Sequence, residues 1–255
     1  MSHKLMIAER FSRAATSYAQ HNELQRHCAV ALLARLPHWD LGTTLDIGCG
    51  PAVNSDVLHA RASQYLGIDI APGMLHYAQQ QWPHLQWICA DLEQLPIAAN
   101  TVDTIYANLA LQWAEDITIA LAQWLDCLRP AGVIVATTVL QGSLQPLSQY
   151  LLKFTGHRRH NQFLGRQDLV QRLNTLKGVE ISIDYHSITI HYPSVRTMLH
   201  DLKGIGASYQ YQQRPPLAKQ QLLRVESAME RYRDALGRLP LDWQIAAFKL
   251  TKVQS

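Results

Sequence analysis

The segment Leu45-Asp46-Ile47-Gly48-Cys49-Gly50-Pro51-Ala52 decides how the rest of this 255-residue chain is read. Thr43–Ile47 has the composition of a buried strand, and the two glycines after it permit a sharp turn and close approach of a ligand to bare backbone. A helix is expected next, over 53–61, with its free N-terminal N–H groups pointing back at the same spot. Alone, Gly-x-Gly is weak evidence, because glycine after a first strand can serve packing only.

The flanking segments sharpen it. About twenty residues on, Gly67-Ile68-Asp69-Ile70 ends the next strand with a carboxylate that could accept hydrogen bonds from both hydroxyls of a ribose. A third strand ends at Ala90-Asp91-Leu92. A dinucleotide site of the G-x-G-x-x-G type would require glycine where Val53 stands, so that fingerprint fails. The remaining set, Asp-x-Gly-x-Gly-x-Ala with Asp69 and Asp91, resembles the class I S-adenosylmethionine (SAM) methyltransferases. In that class the second aspartate holds the ribose and the third lies near the adenine amine. Typical members carry a third glycine where this chain has Ala52, which puts a methyl group near the cofactor's methionine end.

Length and composition suit one large domain, or a core with a small insertion. With 47% hydrophobic and 17% charged residues the chain can bury a substantial core. A net charge of +3 and a pI near 8.7 are too mild to argue for nucleic acid, yet suit an acidic partner. Cys28, Cys49, Cys89 and Cys127 form no C-x-x-C pair and read as reduced thiols, which places the protein in the cytoplasm. Charged residues crowd the N-terminus without an apolar run, so no signal peptide is read there, and no 18-residue apolar stretch argues for a membrane span. No metal-ligand pattern appears.

Periodicity predicts helices over 7–19 and 23–36 ahead of the first strand, either as a lid on the open carboxyl edge of the sheet or as a cap on its side. Strands at 64–69, 86–90, 101–107 and 133–138 then alternate with helices at 72–80 and 116–128, the latter carrying an i, i+3, i+4, i+7 stripe. Such alternation implies a parallel sheet with right-handed crossovers. Beyond 138 the pattern predicts helices at 144–154, 167–174, 195–205 and 217–236, and strands at 180–192 and 239–252. The fold class is therefore α/β: a Rossmann-like, mostly parallel seven-stranded sheet. Residues 1–40 form a helical lid, 41–140 the nucleoside-binding core, 141–178 a helical insertion after the fifth strand, and 179–255 the remainder of the core.

Four segments point further: Phe11-Ser12-Arg13-Ala14-Ala15-Thr16-Ser17-Tyr18 with Leu24-Gln25; Asn108-Leu109-Ala110-Leu111-Gln112-Trp113; Thr137-Thr138-Val139-Leu140-Gln141-Gly142-Ser143-Leu144; and Leu202-Lys203-Gly204-Ile205-Gly206-Ala207. Together they resemble the malonyl-acyl-carrier-protein O-methyltransferases of biotin synthesis over residues 8–250. The resemblance implies methyl transfer from SAM to the free carboxylate of malonyl carried on acyl carrier protein, a strongly acidic partner, with no nucleic acid or membrane involved. It implies cofactor contacts from Asp46, Gly48, Cys49, Gly50, Asp69, Ile70, Met74, Asp91, Leu92, Asn108 and Leu109. The substrate side would fall to Tyr18, Arg13, Lys203, Gln112 and Trp113. Carrier contact is expected from His157-Arg158-Arg159-His160, Arg166, Arg172 and Lys177. Two rivals stand beside this reading: a methyltransferase for another small acid or a quinone precursor, and a SAM-binding protein without catalysis.

Overall fold

In the computed structural model of the protein, residues 3–18, 21–157, 162–204 and 217–253 are described. Seven strands form one sheet: β1 (Thr43–Ile47), β2 (Gln64–Asp69), β3 (Gln86–Cys89), β4 (Val102–Ala107), β5 (Leu128–Val139), β6 (Val179–Tyr192) and β7 (Leu239–Lys252). Their spatial order is β3-β2-β1-β4-β5-β7-β6. β1 to β5 are parallel, whereas β7 runs antiparallel to both β5 and β6. Order reverses between β1 and β4, so the crevice beyond their carboxyl ends is where an open α/β sheet receives a ligand.

The helices are α1 (His3–Ala14), α2 (Glu23–Leu33), α3 (Ser55–His59), α4 (Pro72–Gln81), α5 (Ile117–Cys127), α6 (Leu147–Thr155), α7 (Arg166–Leu173), α8 (Val195–Gly204) and α9 (Lys219–Met229). On one face of the sheet, Trp124 and Leu121 of α5 and Leu169 and Leu173 of α7 pack on Ile105, Ile134 and Phe248. On the other, Leu32, Leu58, Tyr65, Tyr106 and Val135 form a second layer. A third apolar cluster joins α2, α6, α8 and α9 to the carboxyl end of β6 and the amino end of β7.

Several boundaries differ from the periodic reading. The helix after the glycine turn is one short element, Ser55–His59, because Ala52 takes φ +68° and the chain turns through 51–54 first. Its N-terminus therefore does not begin at the glycines, and bare backbone alone faces the ligand there. β5 starts five residues early, at Leu128: the Arg129-Pro130-Ala131-Gly132 stretch is an irregularity within the strand, where pairing with β4 shifts register between Val102 and Thr104 and Ala131 takes φ +65°. α6 starts at Leu147 because Leu144 and Gln145 exchange backbone hydrogen bonds with Asp242 of β7. α9 stops at Met229, where the Arg233 guanidinium gathers Glu226, Glu230 and the carbonyls of Pro193 and Gly237 and turns the chain back. α1 begins at His3 and ends at Ala14, earlier at both ends than the pattern suggests.

Candidate active site

A cavity opens where the carboxyl ends of β1, β2, β3 and β4 meet. Its floor comes from the loops that follow them: Gly48 and Gly50, Asp69 and Ile70, Asp91 and Leu92, then Asn108, Leu109, Gln112 and Trp113. Met74 of α4 lies in the same wall. Each of these loops leaves a parallel strand at the same edge of the sheet, so residues far apart in sequence converge there.

The two glycines do different work. Gly48 has φ +70°, and a Cβ on it would lie 2.6 Å from the Ala110 Cβ, so the turn packs directly against the β4 loop. Gly50 has φ +55°, and a Cβ there would meet nothing within 4 Å, which leaves its backbone bare toward the cavity. The Gly50 N–H donates to Asp69 Oδ2 at 2.9 Å, and the Ala71 N–H donates to Oδ1 at 2.8 Å. Two of roughly four carboxylate lone-pair positions are thereby used, and others remain for a ligand hydroxyl. Burial pushes the Asp69 pKa up to about 6 against the pull of these N–H donors.

Asp46 and Cys49 sit behind this turn and do not line the cavity. The Asp46 carboxylate, 3% exposed, accepts from the Tyr65 hydroxyl at 2.9 Å, which also bonds Ser55 Oγ at 2.7 Å. Burial, reinforced by the Asp69 charge and opposed by Tyr65, pushes Asp46 up to about 7. The Cys49 sulfur fills the space beside Gly67, where a built Cβ would approach it to 3.1 Å.

The roof is α1. Lys4, Ile7 and Phe11 face inward at helical spacing, with Tyr18 beyond the helix end and Leu24 and Gln25 from α2. Lys4 Nζ donates to Asp91 Oδ1 at 2.8 Å and pairs with Glu93, so the helix is tied to the loop after β3. Trp124 braces that loop by donating from Nε1 to the Leu92 carbonyl at 2.8 Å. Phe11 meets Trp113 edge to face at 5.1 Å between centroids. The Ser12 hydroxyl accepts from the Gly73 N–H at 3.1 Å. α1 thus lies over the carboxyl edge of the sheet, above the cavity.

The same helical phase carries Arg13 outward: it is 79% exposed and pairs with Glu9 at 3.4 Å. Lys203 is exposed as well, because Val195, Met198 and Leu202 give α8 its buried stripe. Neither cation lines the cavity. Ile205, Gly206 and Ala207 lie outside the described residues.

Asn108 is held at both ends of its amide, donating to the Gln25 carbonyl at 2.9 Å and accepting from Thr137 Oγ1 at 2.7 Å. It holds α2 and β5 to the end of β4. Leu109 follows with φ +53°, its N–H donating to Thr137 Oγ1 at 2.9 Å. Burial, then the Asp69 charge, raises the Tyr18 pKa, so the phenol keeps its proton and remains a donor. Two buried acceptors in the wall, Gln25 Oε1 and Gln112 Oε1, have no protein partner. Val139, Leu144, Phe163 and Trp243 complete the far side.

Of the residues expected to meet the carrier, Arg158, Arg159 and His160 lie outside the described residues, while His157 and Lys177 are exposed. Arg166 stacks over the Tyr185 ring at 4.7 Å and donates to Gln244 at 3.2 Å. Arg172 pairs with Asp116 at 3.2 Å. Among the described residues there is no group of three or more His, Cys, Asp or Glu that could hold a metal ion.

This strand order and this cavity define a methyltransferase of the Rossmann-like class I type. A family described as "Methyltransferase domain" matches residues 45–136, the stretch from β1 into β5. The YcgJ protein from Bacillus subtilis shares the fold, with a TM-score of 0.62 at 12% identity, covering 90% of this chain and all of that one. Two curated relatives match almost end to end. The malonyl-[acyl-carrier protein] O-methyltransferase of Enterobacter lignolyticus is 32% identical over 251 residues, 98% of each chain. That of Serratia marcescens is 32% identical over 95% of this chain and 94% of its own. The chain belongs to the malonyl-[acyl-carrier protein] O-methyltransferase family.

Proposed function

We propose that the protein uses SAM to methylate the free carboxylate of malonyl carried on acyl carrier protein, giving the methyl ester that starts pimeloyl synthesis for biotin. The observation that carries the cofactor assignment is the wall's chemistry. Asp69, Asp91 and Gln25 Oε1 supply acceptors, and the bare Gly50 backbone leaves room, for a ligand rich in hydroxyl and amine donors and carrying positive charge. Asp69 would hold the ribose and Asp91 the adenine amine. Bound SAM would supply a methyl group made electrophilic by its sulfonium.

The chain's own residues then have a limited task. A carboxyl acceptor of this kind has a pKa of roughly 3 to 4, so it reaches neutral pH already ionised and no base has to be provided. Among the described residues no histidine lines the cavity. Tyr18, held protonated, donates to the acceptor carboxylate, and Trp113, Phe11 and Ile7 exclude water around it. Alignment of this kind is worth about 7–11 kcal/mol of barrier. In this reading residues 1–40 are the lid, 41–140 and 179–255 the core and 141–178 the acceptor side, and four free thiols suit a cytoplasmic enzyme.

The test is methyl transfer from labelled SAM to malonyl-carrier protein, malonyl-CoA and free malonate, together with rescue of a biotin-requiring strain lacking its own malonyl methyltransferase. Transfer to the carrier-bound acid with rescue supports the proposal. SAM binding with no transfer to any malonyl thioester rejects it.

A further inference from the structure

A second cavity lies on the other side of the short 3-10 helix Leu111–Trp113, lined by Gln112, Thr138, Gln162, Phe163 and Arg172, with Glu115 at its edge. It shares Gln112, Val139 and Phe163 with the main cavity, so the two are neighbours across those residues. Their chemistry differs. The main cavity is walled mostly by apolar groups, with two carboxylates, Lys4, Tyr18 and three primary amides among them, whereas this one sets a guanidinium, two primary amides, a buried threonine and Glu115 among its apolar side chains.

Two features call for a ligand with both donors and acceptors. Gln112 spends its Nε2 on the Leu109 carbonyl at 2.7 Å, which fixes the amide's orientation and leaves Oε1 buried without a partner. A buried acceptor left unpaired is unfavourable, and an incoming N–H would satisfy it. Arg172 commits Nη1 to Asp116 at 3.2 Å, and Asp116 is itself occupied in capping α5 through the Thr118 N–H at 2.8 Å. Four of the five guanidinium N–H donors remain for carbonyl oxygens.

Resting on the function proposed above, we propose that this cleft is the channel for the acceptor's arm: a flexible chain of secondary amides ending in a thioester, entering past α7. Arg172 donates to the thioester or amide carbonyl oxygens, and Gln112 Oε1 accepts an amide N–H. The acid group passes between Gln112 and Phe163 into the main cavity, and the lid α1 need not open for acceptor exchange. Specificity for a long polar thioester over a free diacid then resides in the cleft.

The experiment uses the full chain with Arg172→Gln and Gln112→Leu variants, each checked by thermal melting. Steady-state kinetics are measured with malonyl-pantetheine and with malonyl-N-acetylcysteamine, which has one amide fewer, beside affinity for S-adenosylhomocysteine by calorimetry. Expected is a rise in KM for malonyl-pantetheine of tenfold or more in both variants, homocysteine-nucleoside affinity within twofold of wild type, and a smaller gap between the long and short acceptors than wild type shows. An unchanged KM in folded variants, or equal loss of nucleoside affinity, overturns the channel while leaving the methyltransferase reading intact. A wild-type protein that methylates neither thioester overturns both.

Discussion

Ala52 shows how one side chain can be misjudged from sequence and corrected by backbone. Sequence reasoning places the cost of alanine in its methyl group, packed where relatives of the class have glycine. The structure places it in φ +68°, the left-handed region that costs a non-glycine residue about 1–2 kcal/mol. Ala52→Gly is expected to stabilise the protein by about 1 kcal/mol in chemical denaturation with an unchanged denaturant dependence; a loss of stability would show the turn is unstrained. The residues legible from sequence, Gly48, Gly50, Asp69 and Asp91, share one property: each ends a strand or follows it within three residues, so local pattern locates it. Lys4, Phe163 and Trp243 were not legible, because tertiary folding brings each from a distant segment. Lys4 alone had a signal, the phase of Ile7 and Phe11, which also predicts that Arg13 faces outward. The motif resemblance drew attention to Arg13 instead.

At the level of elements, the lid seats on α4 through Gly73. A Cβ at Gly73 would lie 2.7 Å from Cα, Cβ and O of Ser12, so backbone and not a movable side-chain tip stands in the way. Gly73→Ala gains about 1 kcal/mol of helix propensity within α4 and incurs overpacking of about 1–3 kcal/mol at the α1 contact. Net stability should move little while α1 lifts. The expected signature is faster limited proteolysis within residues 3–18 and at least tenfold weaker nucleoside binding at near-wild-type melting temperature; unchanged proteolysis would show that α1 does not close over the site through this contact. Elements whose ends are set by local periodicity, such as β2 and β7, match their sequence expectation to the residue. Those whose ends are set by a distant partner do not. α9 ends where Arg233 is drawn to the carbonyl of Pro193, and β5 extends beyond the Pro130-containing stretch because β4 keeps pairing with it.

For the molecule as a whole, the buried acids at the site couple stability to pH. Both Asp46 and Asp69 have folded pKa values, about 7 and about 6, above the ordinary 3.8. Between pH 4 and 7 the native state therefore holds more protons than the unfolded chain, and this contribution to stability is full at low pH and lost as pH rises through the folded values. Asp46→Asn removes the ionisation while keeping a hydrogen-bonding group beside Tyr65. The melting temperature of the variant relative to wild type should rise from pH 5 to pH 8, by several degrees; a difference flat in pH would show that Asp46 titrates normally. Carboxylates held below the usual range, such as Asp116 with its backbone N–H partners, act with the opposite sign at lower pH and cancel in this comparison.

The placement of β7 has a further consequence. It follows every other strand in the chain yet lies between β5 and β6, pairing with β6 along its whole fourteen-residue length. During translation, β6 emerges with no neighbour to bond, and one flank of β5 stays open until residues 239–252 leave the ribosome. The nascent protein must carry these two bare edges, which are templates for aberrant pairing, until β7 emerges. The catalytic crevice can be framed early by the first four strands. The sheet that makes it permanent is sealed from within, by a strand made after both of the neighbours it joins.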